Sequence, residues 1–177
     1  VSEYPEFFVY VPQTSADKAE FILLDEENNE IYQTTLPLPS EAGIVSVSLP
    51  ETEPPLEVDK NYRWFFAVIC NQDDRIKDLV VEGWTQRREI EGNLAAKLEE
   101  TTRAGDRSQI YAENGIWHDA LSTLAEEIRN SNRNALAIVQ WKILLASAGL
   151  DKVTEVPLLL SAFDPVDVSE EKILPLN

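Results

Sequence analysis

Near Gly92 the apolar residues of this chain change their spacing. Upstream they recur at every second position, and downstream at every third or fourth. A period of two suits a strand with one face buried, and a period near 3.6 suits a helix with one apolar stripe. No single repetitive architecture accommodates both. The chain must build a β part first and an α part second, with residues 1–91 and 92–155 as the two units and 156–177 as an extension.

The first unit contains six or seven strand-like runs separated by turn signals. "EFFVYVP" stops at Pro12, and "KAEFILLD" leads through Asn28-Asn29 into "EIYQTTLPL". Asparagine tolerates positive φ, so this pair suits a tight hairpin. In "GIVSVSLP", Ile44, Ser46 and Ser48 fall on one face and Val45, Val47 and Leu49 on the other. "NYRWFFAVIC" and "DLVVEGWTQRREI" follow. Such regular spacing of short strands implies a β-sandwich. Leu56 precedes Tyr62 by six residues, and Tyr62 opens the strand carrying Trp64, Phe66 and Val68. This resembles the tyrosine corner of immunoglobulin-like and fibronectin type III sandwiches, where the phenol bonds back to the upstream backbone. The fold expected is α+β, an immunoglobulin-like sandwich followed by a small helical bundle.

Four helical runs follow Gly92, and in the third Leu121, Leu124, Ala125 and Ile128 share a face. Asp106 suits an N-cap, and Gly115 and Gly149 are placed to end helices in the left-handed conformation. Tyr111, Gly115, Trp117, Ala120 and Leu121 resemble a tetratricopeptide repeat. Gly115 would let two helices turn and pack closely, and Ala120 would sit where no larger side chain fits. About one and a half repeats are visible, fewer than the three usually needed to stack alone, so the sandwich is expected to supply the missing surface. From Val156 onward the chain lacks a period and reads as a surface-packed extension.

Charge excludes whole classes of partner. With 32 acidic and 15 basic residues the net charge is -17. Nucleic acid and anionic membranes would repel such a chain, since both are bound through Lys and Arg. Arg87 and Arg88 are flanked by Glu89 and Glu91 and read as a solvated strand end. A hydrophobic fraction of 44% argues for a globular chain rather than a disordered one. No apolar run approaches the roughly 20 residues of a transmembrane helix. The chain has no methionine and begins at Val1, which is read as a processed or trimmed product.

Candidate chemistry is sparse. His118, the only histidine, is expected on the first exposed turn of a helix beside Asp119. Ser122 lies one turn on, without an oxyanion hole, so no catalytic residue is assigned. Asp25, Glu26 and Glu27 form a hairpin tip. Asp73, Asp74 and Asp78 leave room for weak calcium binding, although their spacing is not that of an EF-hand loop. No carboxylate pair is marked out for glycoside hydrolysis, and phosphate-loop and dinucleotide motifs are missing, so no cofactor is expected. Cys70, the only cysteine, cannot pair within this sequence and belongs by alternation to the face of Trp64, Phe66 and Val68. There it would be a small buried hydrophobe.

Five blocks in order, "YPEFFVYVPQTSADKAEFILLDEENNEIYQTT", "GIVSVSLP", "PPLEVDKNYRWFFAVIC", "VEGWTQR" and "YAENGIWHDALSTLAE", resemble the cyanobacterial domain of unknown function family numbered 928. The resemblance covers residues 2 to about 155. It implies export beyond the cytoplasm behind an upstream signal. It also implies an upstream cysteine as a partner for Cys70. It brings no reaction, cofactor or catalytic residue. The expected function is a non-enzymatic extracytoplasmic adaptor for a protein partner. One alternative is a module binding carbohydrate or an envelope polymer through aromatics such as Tyr4, Phe8, Tyr32 or Trp84. The other is a hydrolase with unidentified carboxylates.

Overall fold

A computed structural model describes residues 1–90, 92–130 and 134–159. Among the described residues six strands form two antiparallel sheets. β1 (Glu6–Val11) pairs with β4 (Gly43–Ser48). β2 (Lys18–Leu24), β3 (Glu30–Pro37), β5 (Asn61–Val68) and β6 (Leu79–Gln86) form the larger sheet in the order β3-β2-β5-β6. Four α-helices follow among the described residues: α1 (Gly92–Glu100), α2 (Ala104–Glu113), α3 (Trp117–Asn130) and α4 (Ala135–Ser147). Strands and helices thus lie on either side of the change in spacing. Among the described residues no helix is long and apolar enough to cross a membrane.

The two-stranded sheet is the middle layer. One face presents Phe7, Val9, Val11, Val45 and Val47 to Phe21, Leu23 and Phe66 of the larger sheet. Phe7 and Phe21 meet with ring centroids 5.0 Å apart. Each such fully buried side chain contributes roughly 1.5–3 kcal/mol. The other face meets the helices: Ile44 shares a core with Ala120, Leu121, Leu124 and Trp141. Phe8 packs edge-on against Trp141 at 5.3 Å. The serine-bearing face of β4, polar in sequence, is therefore covered as well. Ser46 is 0% exposed, and its Oγ accepts a hydrogen bond of 2.9 Å from Arg129 Nη2 on α3. The same nitrogen donates to Glu6 Oε1 at 2.8 Å, a pair largely removed from water.

The turns follow from local chemistry. Asn28 takes φ 65°. Asp25 Oδ1 accepts from the amides of Glu27 and Asn29, which ties the acidic tip into the hairpin. At the end of α2 the amides of Gly115 and Ile116 bond to the carbonyls of Ala112 and Tyr111, with Gly115 at φ 72°. Gly149 closes α4 in the same way. A Cβ on Gly115 would meet nothing within 4 Å, so this glycine supplies the backbone angle rather than close helix packing. The tight approach comes instead from buried Ala120, whose carbonyl accepts from Ser108 Oγ at 2.8 Å. Asp106 is not the N-cap of α2. Arg103 holds that position, and Asp106 lies in the first turn, where its charge suits the helix dipole.

Tyr62 is buried, and its hydroxyl accepts the Glu57 amide at 3.0 Å, one residue past Leu56. Of the extension, residues 156–159 are described and the remainder lies outside the described residues. The amide of Ile44 bonds to the Pro157 carbonyl and that of Leu159 to Ile44, so this segment lines the free edge of β4.

Two stability outcomes follow. Replacing Tyr62 with Phe should cost about 1 kcal/mol in urea denaturation, the usual net value of one hydrogen bond. Arg129→Leu should cost about 3–5 kcal/mol because it leaves Glu6 buried and unpaired, whereas the double change with Glu6→Leu should recover much of that loss.

Candidate functional site

A cleft of about 690 Å³ opens where the ends of β6 and β1 meet the turn between α2 and α3. Its walls include Leu56, Trp84, Arg88, Trp117, His118 and Asp119. It exists because α3 begins at the edge of β1, so the residues after Gly115 fall against the sheets rather than into solvent.

His118 is not on an exposed turn. Its ring is half-buried and packs edge-on against Phe7 at 5.1 Å, and its Nδ1 lies 3.2 Å from the Glu6 carbonyl oxygen. A carbonyl oxygen only accepts, so Nδ1 carries the proton and Nε2 is left as the acceptor. Burial pushes the imidazole below its ordinary pKa, against smaller opposing effects from Glu6 and Asp119. Helical periodicity could not show this, because it reports the stripe facing neighbouring helices and not the turn facing a strand edge. The Asp119 carboxylate accepts the Ser2 amide at 2.8 Å. Trp117 is half-buried against the helical core.

The basic pair divides. Arg87 is not a solvated strand end: its guanidinium donates to the Leu56 carbonyl at 2.8 Å and to Glu3 at 2.5 Å. Arg88 stands exposed on the rim. Leu56 itself is buried, its amide bonded to the Glu3 carbonyl, so this corner ties the chain start to the end of β6.

The candidate calcium loop is occupied by its own side chains. Asp78 accepts from the Cys70 amide at 3.1 Å and also from Arg75 Nε, and Asp74 pairs with Lys77 at 3.0 Å. Asp73, Asp74 and Asp78 do not converge, and among the described residues no group of three or more potential ligands could hold a metal. Nor is Cys70 on the core face. β5 ends at Val68, so alternation stops with it, and Cys70 is exposed in the following loop.

The aromatics considered for sugar stacking also separate. Tyr4 and Tyr32 pack against the core between the two sheets and Phe8 against the helical core. Trp84 is 63% exposed. Arg63 lies over both Trp84 and Phe65, 5.8 and 4.8 Å from the ring centroids. Around Trp84 runs a feature that motif and spacing do not single out. β6 is an edge strand whose Leu79, Val80 and Val81 are each about half exposed or more. Its register puts Val81 opposite Phe66 and Leu79 opposite Val68, on the inner face that the narrower β1–β4 sheet does not reach. The run of apolar residues in "DLVVEGW" was the available signal.

His118 should matter for folding. His118→Ala removes the contact with Phe7 and a donor to the Glu6 carbonyl, a loss of about 1–3 kcal/mol. Because the folded pKa is depressed, the unfolded chain takes up a proton that the folded chain resists. The stability held by the neutral ring is complete above about pH 6.5 and is lost as pH falls through the lowered folded value. Thermal midpoints measured from about pH 7 to 5 should therefore fall more steeply for the native chain than for His118→Gln. Equal slopes would show that the ring does not titrate as its burial requires.

No curated protein and no solved structure matches this chain. One family does: its model, described as a domain of unknown function (DUF928), matches residues 1–158, and the chain belongs to that family.

Proposed function

We propose that this protein is a non-enzymatic adaptor acting outside the cytoplasm, which binds a protein partner along the edge of β6. The observation that carries this reading is the unguarded character of that edge. Natural edge strands are usually protected by Lys, Pro, bulges or shortness. Over the eight residues of β6 there is neither Lys nor Pro, and its one charge, Glu82, is paired with Arg63 at 2.7 Å. Apolar side chains stand exposed on both faces. The chemistry that fits is an extended segment adding as a further strand, with alternate apolar residues covering Val81 and Val80. A net charge of -17 favours a partner segment with cationic flanks.

The strand order supports an immunoglobulin-like frame for this edge. The pairings β1–β4 and β3-β2-β5-β6 correspond to strands B–E and C′-C-F-G of that fold, and Tyr62 occupies the corner position on the equivalent of strand F. The α2–α3 hairpin, closed at Gly115 and crossing at Ala120, supports the tetratricopeptide-like reading of the helices. Export rests on the family resemblance. The exposed Cys70 fits the bridge to an upstream cysteine that the same resemblance implies. A sugar-binding role has less to rest on, since among the described residues the exposed rings, Tyr10 and Trp84, stand on strands of different sheets rather than in one row.

Affinity purification from native cells tests the reading, with the protein and its Val80→Lys/Val81→Lys variant as baits. A partner captured in stoichiometric amount by the first and at least about tenfold less by the second is the expected result. Equal capture by a folded variant would place the partner elsewhere.

A further inference from the structure

We infer that α4 is a self-association element through which two copies of this chain pair. The helix is apolar on its inner and its outer face alike. Ala137, Trp141, Leu144 and Leu145 face inward and are buried. Outward stand Leu136, Val139, Ile143 and, beyond the helix, Leu150, with Ile143 64% exposed. Adding the exposed Ala146, the spacing runs three, four, three, four, which is the seam of a helix that packs on another helix. A helix apolar all round belongs in an interior, so the outer seam calls for a cover.

Charge selects the cover. From Ala135 to Leu150 the sequence contains no carboxylate, and its one cation, Lys142, is paired with Glu155 at 2.5 Å. In a protein of net charge -17, most of the surface repels a second copy, and this neutral seam is where two copies approach with least repulsion. A strongly charged partner would find no counterpart here, whereas an identical seam matches it. An antiparallel arrangement about a twofold axis at Ile143 sets Leu136 against Leu150 of the other copy and Val139 near the small Ala146 and Ser147. It also opposes the two helix dipoles. Beside the seam a groove of about 400 Å³ runs between α2 and α4, lined by Gly105, Gln140, Ile143 and Leu144. The Gln140 side-chain amide lies over Gly105, in the space a Cβ would take. One short helix offers less than the ~800 Å² per partner of a standard interface, so the pair should be weak, with a dissociation constant of about micromolar or above.

The inference does not rest on the β6 reading, and its test uses the purified protein alone. Sedimentation velocity over about 1 to 200 µM should show the mass rising from 20.0 kDa toward twice that value. Added salt should strengthen the pairing by screening repulsion between the acidic chains. Ile143→Glu, and separately Leu136→Lys, should remain monomeric throughout while keeping the helical signal of the native chain. In a Cys70→Ser background, Leu136→Cys combined with Leu150→Cys should give a disulfide-linked dimer on mild oxidation. A native chain that stays at 20.0 kDa at every concentration overturns the inference. A dimer that survives both charge substitutions does so too, and points to β6 or another surface.

Discussion

The whole arrangement depends on a two-stranded ribbon that is buried on both faces. A β-ribbon of this size is marginal in water, and neither of its faces could be left open. β1 and β4 give one set of side chains to the larger sheet and the alternate set to the helices. The helices pack on the same ribbon, against Ile44 and Phe8. The two parts of the chain, so different in their spacing, therefore share β1 and β4 as a common wall. Arg129 makes that wall specific, since its guanidinium reaches Glu6 and Ser46 on adjacent strands. An ion pair so placed contributes little net stability, but a slip of α3 along the ribbon would strand a buried carboxylate.

The same economy explains the edges. A ribbon of two strands cannot cover a sheet of four, and the uncovered strip falls on β6. At the other end of the ribbon the open position beside β1 is filled in part by the first turn of α3. There His118 takes the Glu6 carbonyl and lies against Phe7. A residue that suggests catalysis in a list of side chains is thus engaged in closing a sheet edge. Its neutral state belongs to that role, because an imidazolium so placed would be charged with little water around it.

The surfaces that remain apolar stand out against a strongly acidic molecule. β6 and the outer seam of α4 differ in geometry, one offering unpaired backbone groups and the other a row of side chains. The first suits an extended strand and the second a helix, so the two need not compete for one partner.

Strand and helix content, the hairpin at Asn28, the helix ends at Gly115 and Gly149 and the Tyr62 bond were all legible in the sequence. Each depends on residues close together along the chain, where spacing and backbone angle carry the information. Family membership was legible for a similar reason, as ordered blocks of residues. What the tertiary structure alone decided was which faces meet. Alternation puts Ser46 on one face with Ile44 and Ser48 and says nothing of what covers that face, which is Arg129, 83 positions away. His118 reads as exposed until β1 is placed beside α3, and Cys70 reads as buried until pairing is seen to end at Val68. Asp73, Asp74 and Asp78 are close in sequence, but only the structure shows two of them paired with Arg75 and Lys77. Periodicity says that a face is apolar or polar, whereas burial depends on what packs against it, and that partner is fixed only when distant segments come together.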